Sequence, residues 1–182
     1  MSNNNHVILP PLGALPATPA RPYAWHYMAT QWRRVFGLNI SRIDELLFVG
    51  GEFRARQWPR LHTLGVRAVL SLQAEREDTF QGPPPERALR LEVPDFHPPT
   101  VEQLREAVAF IQAAHADRLP VLVHCHAGVG RASLTASAYL VTRGLSHDEA
   151  FQLIWRARPI VYLNDLQRER LAEWGQLALE QS

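Results

Sequence analysis

Short apolar runs and amphipathic stretches alternate along the chain from residue 38 to residue 179. The run at residues 121–124 is almost wholly apolar, which is typical of a strand that is covered on both faces of a sheet. Residues 66–72 are predicted to form a buried strand, and residues 88–93 another strand. Two further runs, 38–43 and 46–49, predict a hairpin around Asp44 and Glu45. The pattern therefore predicts an α/β fold, with a central, mostly parallel sheet of about five strands flanked by helices.

The helices are indicated by apolar residues at spacings of three and four and by signals at their ends. The predicted helices are a short one ending at Gly65, one beginning at Thr100, one ending at Gly144, one from Ser146 to Pro159 and one over residues 164–179. Two of them begin with capping boxes, which are Thr100 with Gln103 and Ser146 with Glu149. In the last helix, Leu166, Leu171, Trp174 and Leu177 are predicted to lie on one face.

The N-terminal part of the chain differs in composition from the rest. Its first 22 residues contain five prolines and three consecutive asparagines, which indicates an extended leader. Apolar residues then recur at helical spacing, namely Trp25, Met28, Trp32 and Val35. We therefore predict a leader and helix over residues 1–37 and one domain over residues 38–182. The helix, residues 23–36, is expected to pack on the domain, and a membrane contact helped by Arg33 and Arg34 is the alternative.

Composition and charge exclude several classes of function. The formal net charge is only +1, which argues against a broad basic surface for nucleic acid. All 19 basic residues are arginine, so lysine chemistry such as a Schiff base is impossible. The single cysteine allows no intramolecular disulfide, and no pair of Cys or His residues has the spacing of a metal site. No run is long enough for a membrane span and no signal peptide is recognisable, so the cytoplasm is the expected compartment.

The segment that carries chemistry lies between the predicted strand 121–124 and the helix that begins near Arg131. Five residues separate Cys125 from Arg131, enough for the chain to curl into a cup whose backbone N–H groups point inward. Gly128 and Gly130 permit the backbone angles and the close approach that such a cup requires. The positive end of the following helix makes the cup suitable for a phosphate dianion. The predicted phosphate ligands are the backbone of His126, Ala127, Gly128, Val129 and Gly130 and the guanidinium of Arg131.

Cys125 is the predicted nucleophile of this cup. A thiol beside an arginine and a helix N-terminus is readily deprotonated, and the thiolate is the reactive form. It would attack phosphorus in line and form a thiophosphate intermediate that water later hydrolyses. Asp95, in a proline-rich loop between a predicted strand and a predicted helix, could reach the cup and protonate the leaving oxygen. Glu77 and Asp78 are the alternative acids, and a turn-capping role is the structural alternative for Asp95.

These residues resemble the signature of the protein tyrosine phosphatase superfamily, which is His-Cys, five residues, Arg, then Ser or Thr. Over about residues 38–175 the chain is similar to the small atypical dual-specificity phosphatases of the VHZ type. The motifs that carry the resemblance are Gly65-Val66-Arg67, Val69-Leu70-Ser71-Leu72, Val93 to Pro99, His124 to Arg131, Arg156 to Pro159, and Gln167. The resemblance implies a similar fold and a dephosphorylating enzyme with no metal and no organic cofactor.

The resemblance also implies roles for supporting residues. Asp95 matches the position of the family's acid. His124 would orient the loop and tune the thiolate, and a satisfied histidine at the end of a strand is the alternative. Gln167 matches a glutamine that positions water, and a solvated helix residue is the alternative. The family's hydroxyl after the arginine is absent, because Ala132 stands there and Ser133 follows one place later. We therefore expect slower breakdown of the thiophosphate, unless Ser133 or a water molecule substitutes.

The expected substrate is a phosphorylated protein or a small phosphomonoester, and alternatives remain open. A lipid or inositol phosphate phosphatase ranks second, because the variable residues of the cup add little positive charge unless His126 is protonated. A sulfur-transfer enzyme would also use a cysteine in a loop after a strand. Finally, because Ala132 lacks the family's hydroxyl, a phosphate-binding module with little turnover is a further alternative. His97 and His126 flank the expected mouth and are either substrate contacts or solvated loop residues.

Overall fold

The computed structural model describes Met28 and residues 37–180. The predicted leader and the predicted helix of residues 23–36 lie outside the described residues, apart from Met28, which is helical and exposed. Within the described part of the chain, no helix is both long enough and apolar enough to cross a membrane.

A five-stranded sheet forms the centre of the domain, as the sequence predicts. The strands are β1 (Ile40–Arg42), β2 (Leu47–Gly50), β3 (Ala68–Ser71), β4 (Arg87–Arg90) and β5 (Val121–His124). Their order across the sheet is β1-β2-β5-β3-β4, and only the edge strand β1 is antiparallel to its neighbour. Because the other four strands are parallel, they end at the same edge of the sheet, where α/β folds place ligand sites.

Five α-helices flank the sheet within residues 37–180. They are α1 (Trp58–Thr63), α2 (Val101–Ala116), α3 (Arg131–Thr142), α4 (His147–Ala157) and α5 (Asp165–Glu180). Both predicted capping boxes are confirmed, since Thr100 accepts a hydrogen bond from the Gln103 N–H and Ser146 accepts one from the Glu149 N–H. The first eleven residues of α3 are all buried. This helix therefore runs through the middle of the core, with its N-terminus fixed at the end of β5.

Apolar side chains form a core on each face of the sheet. The larger core packs helices α2 to α5 against one face, and it includes Leu104, Ile111, Leu134, Leu140 and Ile154. The smaller core packs α1 against the other face, through Phe48, Phe53, Trp58, Leu61, Val66, Val69 and Leu122. Burying one such side chain contributes about 1.5–3 kcal/mol. The two cores thus hold β5 from both sides, so the loop that follows it begins from a rigid strand.

The apolar face predicted for α5 is buried only in part. Leu171 and Trp174 are buried, whereas Leu166 is 55% exposed and Leu177 is partly buried. In the first turn of the helix Gln167 is buried instead of Leu166. The physical reason is that the first turn of α5 faces a polar loop at the edge of the sheet rather than the apolar core, so its inward position needs a hydrogen-bonding side chain.

Candidate active site

The loop between β5 and α3 is bent, and its backbone carbonyl groups are held from outside. The carbonyls of His126, Ala127, Gly128 and Val129 all accept hydrogen bonds from other segments of the chain. In a trans peptide the N–H of one residue points opposite to the carbonyl of the residue before it. With these carbonyls turned outward, the N–H groups of residues 127–130 point into the loop, as required for binding an anion.

Two buried polar side chains hold the middle of this loop. Arg158, at the end of α4, donates from Nε to the Gly128 carbonyl at 2.6 Å and from Nη2 to the Ala127 carbonyl at 3.0 Å. Asn39 donates from Nδ2 to the same Ala127 carbonyl at 3.1 Å, and its Oδ1 accepts from Arg158 Nη2 at 2.7 Å. The two side chains thus support each other as well as the loop, and they add a buried positive charge beneath it.

Gly128 is required by the backbone of the loop. Its φ angle is +67°, a left-handed conformation that residues with a side chain rarely adopt. A Cβ atom at this position would also overlap the backbone of Gly50 and Gly51 at the end of β2. At Gly130 a Cβ would lie 2.8 Å from the amide of Gln167. The sequence-based roles of both glycines therefore have a steric basis in this structure.

Cys125 lies at the base of the loop and is buried. The N–H of Gly128 donates to its Sγ at 3.3 Å and is the one hydrogen-bond donor that the described residues give to the sulfur. Ala132 offers no hydroxyl, and the Ser133 hydroxyl donates to the Gly128 carbonyl at 3.4 Å instead of to the sulfur. The hydroxyl that the resemblance leads one to expect at the sulfur is therefore not replaced by Ser133 in this conformation.

Arg131 is buried with one side of its guanidinium fixed by the protein. Its Nη1 donates to the Val93 carbonyl at 2.7 Å and to the Leu72 carbonyl at 3.2 Å, and it lies 2.9 Å from Glu75 Oε1. Nη2 pairs with Asp95 Oδ1 at 2.9 Å, whereas Nε is buried without a hydrogen-bond partner among the described residues. Nε–H and Nη2–H share one edge of the guanidinium, and that edge matches two oxygens of a phosphate.

Asp95 is 47% exposed and reaches the loop from the segment between β4 and α2. Besides its ion pair with Arg131, its Oδ1 accepts the N–H of Phe96 at 3.0 Å. Phe96 has a φ angle of +61° and is 75% exposed. His97 Nδ1 lies 2.9 Å from the Asp95 carbonyl oxygen, which makes this histidine part of the loop's own structure. The structure thus brings Asp95 to the same guanidinium edge that a phosphate would use.

The alternative acids are engaged elsewhere. Asp78 is nearly buried, and its Oδ2 lies 2.7 Å from Nε2 of His124, which is fully buried. Glu77 pairs with Arg90 at 3.1 Å and is otherwise exposed. The ring of Phe53 packs on His124 with its centroid 5.2 Å away. Asp78 therefore orients His124, a contact between residues 46 positions apart that no local sequence pattern indicates.

The remaining predicted residues lie around the same loop. Gln167 is buried against Gly130, and it donates from Nε2 to the His97 carbonyl at 3.4 Å. His126 is partly exposed at the rim, with Nδ1 at 3.3 Å from Glu52 Oε2. Among residues 37–180 no group of three or more His, Cys, Asp or Glu side chains is arranged to hold a metal ion.

Comparison with known proteins identifies the family of this arrangement. The model of the dual specificity phosphatase catalytic domain matches residues 47–177, which is most of the chain. The chain belongs to the dual-specificity phosphatase family. Human dual specificity protein phosphatase 12 is 33% identical over 131 residues, covering 70% of this chain and 38% of that protein. Dual specificity protein phosphatase 1-A of Xenopus laevis is 30% identical over 120 residues, covering 65% of this chain and 32% of that protein.

Solved structures of dual-specificity phosphatases and their relatives share the fold. PTPMT1 in complex with PI(5)P is 25% identical and superimposes with a TM-score of 0.72, covering 79% of this chain and 98% of that chain. Human DUSP28 is 26% identical with a TM-score of 0.66, covering 78% of this chain and 95% of that chain. The α/β fold and the superfamily predicted from the sequence are thereby confirmed. This chain spans only about a third of the length of these two curated relatives.

Four residues of this dual-specificity phosphatase site went unassigned in the sequence analysis. They are Asn39, Glu75, Arg158 and Asn164. Arg158 lies inside a motif that carried the resemblance, so a signal existed for it although no role could be given. The other three are single polar residues whose importance arises from contacts with residues 56 to 88 positions away in the chain.

Proposed function

We propose that this chain is a phosphomonoester hydrolase, a dual-specificity protein phosphatase that acts through a cysteinyl-phosphate intermediate on Cys125. The observation that carries the proposal is the buried Nε of Arg131, which has no partner among the described residues and lies on the same guanidinium edge as Nη2. A buried donor of this kind costs about 1–3 kcal/mol when left unsatisfied. An oxyanion bound to this edge and to the N–H groups of the loop would remove that cost.

Binding of the substrate prepares the acid. The carboxyl group of Asp95 pairs with Arg131 Nη2 at 2.9 Å and competes with the phosphate for this donor. A phosphate that takes over Nη2 displaces the carboxyl group from the guanidinium. The displaced carboxyl group is then available to the leaving oxygen of the substrate.

Two displacements complete the reaction. The thiolate of Cys125 attacks phosphorus, the P–O bond to the leaving group breaks, and that oxygen takes the proton of Asp95. Water then attacks the thiophosphate, Asp95 accepts its proton, and the S–P bond breaks to release inorganic phosphate and the thiolate. Gln167, buried against Gly130, is suitably located to position that water. His124 and Ser133 support the loop rather than react.

The proposal extends to the substrate class and to the subtype of dual-specificity phosphatase. A phosphorylated protein is the substrate class, supported by the family and by the two curated relatives, of which this chain covers only part. The VHZ-type subtype is supported by the motifs around Asp95 and Arg158. The cytoplasmic location and the division into residues 1–37 and 38–182 stay predictions from the sequence.

The test is phosphate release from p-nitrophenyl phosphate and from a panel of phosphotyrosine, phosphoserine and phosphothreonine peptides. We expect turnover that Cys125→Ser abolishes. We also expect rapid acid quench of the wild-type protein during turnover to trap the phosphoenzyme. Phosphate binding without turnover would support the low-turnover module instead. Activity with thiosulfate and cyanide, and none with phosphomonoesters, would support sulfur transfer and contradict the proposal.

A second candidate is a phosphatase for lipid phosphates, and two observations favour it. The fold superimposes on PTPMT1, whose structure contains PI(5)P. Three large apolar side chains are exposed on the segments that border the loop of residues 125–131, which is called the phosphate loop below. They are Phe96 (75%), Tyr162 (58%) and Leu166 (55%). Release of phosphate from a phosphoinositide in vesicles, faster than from any phosphopeptide, would favour this candidate, and loss of that rate without residues 1–37 would implicate the leader.

A further inference from the structure

The first two turns of α5 hold the loop that carries Asp95. Asn164, immediately before α5, donates from Nδ2 to the Phe96 carbonyl at 2.7 Å. Gln167 donates from Nε2 to the His97 carbonyl at 3.4 Å, and Arg170 donates from Nη1 to the Pro99 carbonyl at 2.7 Å. Three side chains at the start of this helix thus bind three carbonyl groups of the loop of residues 94–99, which is called the acid loop below.

The hydrogen bond from Asn164 falls on the residue of the loop that has a left-handed backbone. Phe96 has a left-handed backbone, which is unfavourable for a residue with a bulky side chain. Its side chain is exposed, so burial of the ring does not offset that cost. A strained conformation persists only when surrounding contacts determine it, and such conformations concentrate at functional sites. The hydrogen bond from Asn164 is the contact that reaches the Phe96 carbonyl.

The conformation of Phe96 determines where Asp95 points. The Phe96 N–H donates to Asp95 Oδ1 at 3.0 Å, in the conformation that brings the same oxygen to Arg131 Nη2 at 2.9 Å. If Phe96 relaxed to an ordinary backbone conformation, this N–H would turn and the carboxyl group would lose one of its two fixed contacts. The position of the acid therefore depends on a carbonyl group bound from α5.

Asn164 has a second contact that allows the two roles to be separated. Its Oδ1 accepts the Gln167 N–H at 2.9 Å and caps the N-terminus of α5. Serine and aspartate cap helices about as well as asparagine, but serine is too short to span the gap to Phe96 and aspartate has no N–H to donate. Substitution by either residue should keep the helix cap and remove only the hydrogen bond to the acid loop.

We propose that Asn164 is a positioning residue for the general acid: its amide fixes the strained carbonyl of Phe96 and thereby places the carboxyl group of Asp95 for proton transfer to the leaving group. This inference rests on the proposed function, because it assigns a partner to the acid of that reaction. It concerns a residue outside the phosphate loop that contacts neither the sulfur nor the phosphate ligands.

The test uses the acidity of the leaving group as its readout. Expulsion of phenolate from phenyl phosphate needs a well-placed acid far more than expulsion of p-nitrophenolate does. For Asn164→Ser we expect kcat/KM with phenyl phosphate to fall about tenfold, and with p-nitrophenyl phosphate to fall no more than about twofold. In an Asp95→Asn background, Asn164→Ser should change neither value by more than about twofold, since the group it positions is gone.

Controls distinguish positioning from general damage. Glu169→Ser places the same residue on an exposed site of α5 and should leave both rates and the unfolding midpoint unchanged. Asn164→Asp provides a second variant that keeps the cap, and it should reproduce the selective loss. Equal losses on both substrates, or a further loss in the Asp95→Asn background, would overturn the inference. Failure of the wild-type protein to hydrolyse either ester, or activity surviving Cys125→Ser, would instead contradict the proposed function.

Discussion

The ion pair between Asp95 and Arg131 leads to opposite expectations for binding and for turnover in Asp95→Asn. The carboxylate occupies Nη2 of Arg131 at 2.9 Å, and an incoming phosphate needs this donor. Asparagine keeps the size of the side chain but has no charge, so it competes less with an oxyanion. It also has no acidic proton for the leaving oxygen. We therefore expect Asp95→Asn to bind oxyanions more tightly and to turn over substrate more slowly.

The size of both effects follows from the geometry. A hydrogen bond to a charged group contributes about 1.5–3 kcal/mol when it is buried. Asp95 is 47% exposed, and solvent screening reduces the energy recovered on its removal to about 1 kcal/mol. That energy corresponds to about a fivefold gain in affinity for inorganic phosphate. Loss of a general acid lowers kcat by about 10²–10⁴-fold, with the larger losses for poor leaving groups.

The assay measures phosphate affinity at equilibrium and turnover in parallel, at pH 7. Glu92→Gln is a matched control, because it also removes one negative charge but from a residue that pairs with Arg90 at 3.0 Å. We expect the control to change phosphate affinity and kcat by less than about twofold. If Asp95→Asn bound phosphate no better than the wild type, the carboxylate would not be competing for Arg131. The proposed displacement by substrate would then be wrong.

Three further predictions concern the loop and the core. Ala132→Ser introduces a hydroxyl at the buried position where the resemblance leads one to expect it, and it should speed breakdown of the thiophosphate about tenfold to a hundredfold. The readout is a higher steady-state rate after the burst. An unchanged or lower rate would count against a role of that hydroxyl in thiophosphate breakdown. Gly128→Ala should abolish turnover and lower the free energy of unfolding by about 2–5 kcal/mol in urea titrations, because it combines a left-handed backbone with an overlap on Gly50. Burial lowers the pKa of His115, whose ring nitrogens contact the Tyr139 hydroxyl and the Leu46 carbonyl. The folded state therefore binds fewer protons than the unfolded state below about pH 6.5, and the free energy of unfolding should fall from pH 7.5 to pH 5.5. His115→Gln should make the free energy of unfolding less dependent on pH in this range. An unchanged pH dependence would refute its assignment to His115.

Local signals explain why so much of the fold was predictable. Capping boxes such as Thr100 with Gln103 act within one helical turn, and both of them form as the sequence indicates. The run Val121 to His124 is almost wholly apolar and its strand is buried on both faces, so its composition alone indicates burial. Cys125 and Arg131 could be proposed as site residues for a similar reason. Their spacing and the glycines between them belong to one short segment whose geometry has few solutions.

Leu166 shows where local pattern fails. Its spacing to Leu171 and Trp174 is compatible with one helix face, yet it is exposed and Gln167 is buried instead. Helical periodicity reports which residues share a face but not what lies opposite each turn. Opposite the first turn of α5 lies the acid loop, whose carbonyl groups need donors, so amides from Asn164 and Gln167 are more favourable there than a leucine.

The conformation of the phosphate loop depends most clearly on residues that are distant from it in the sequence. The carbonyls of residues 126–129 are turned outward by donors that come from Asn39, Glu52, Arg158 and Tyr162. An isolated segment with the same sequence would satisfy those carbonyls with water, and nothing would fix its N–H groups on the inner side. The signature between Cys125 and Arg131 is thus necessary for the anion site, but the site exists only where the rest of the domain binds the loop from behind. Sequence comparison of the loop alone cannot distinguish a chain with these outer donors from one without them.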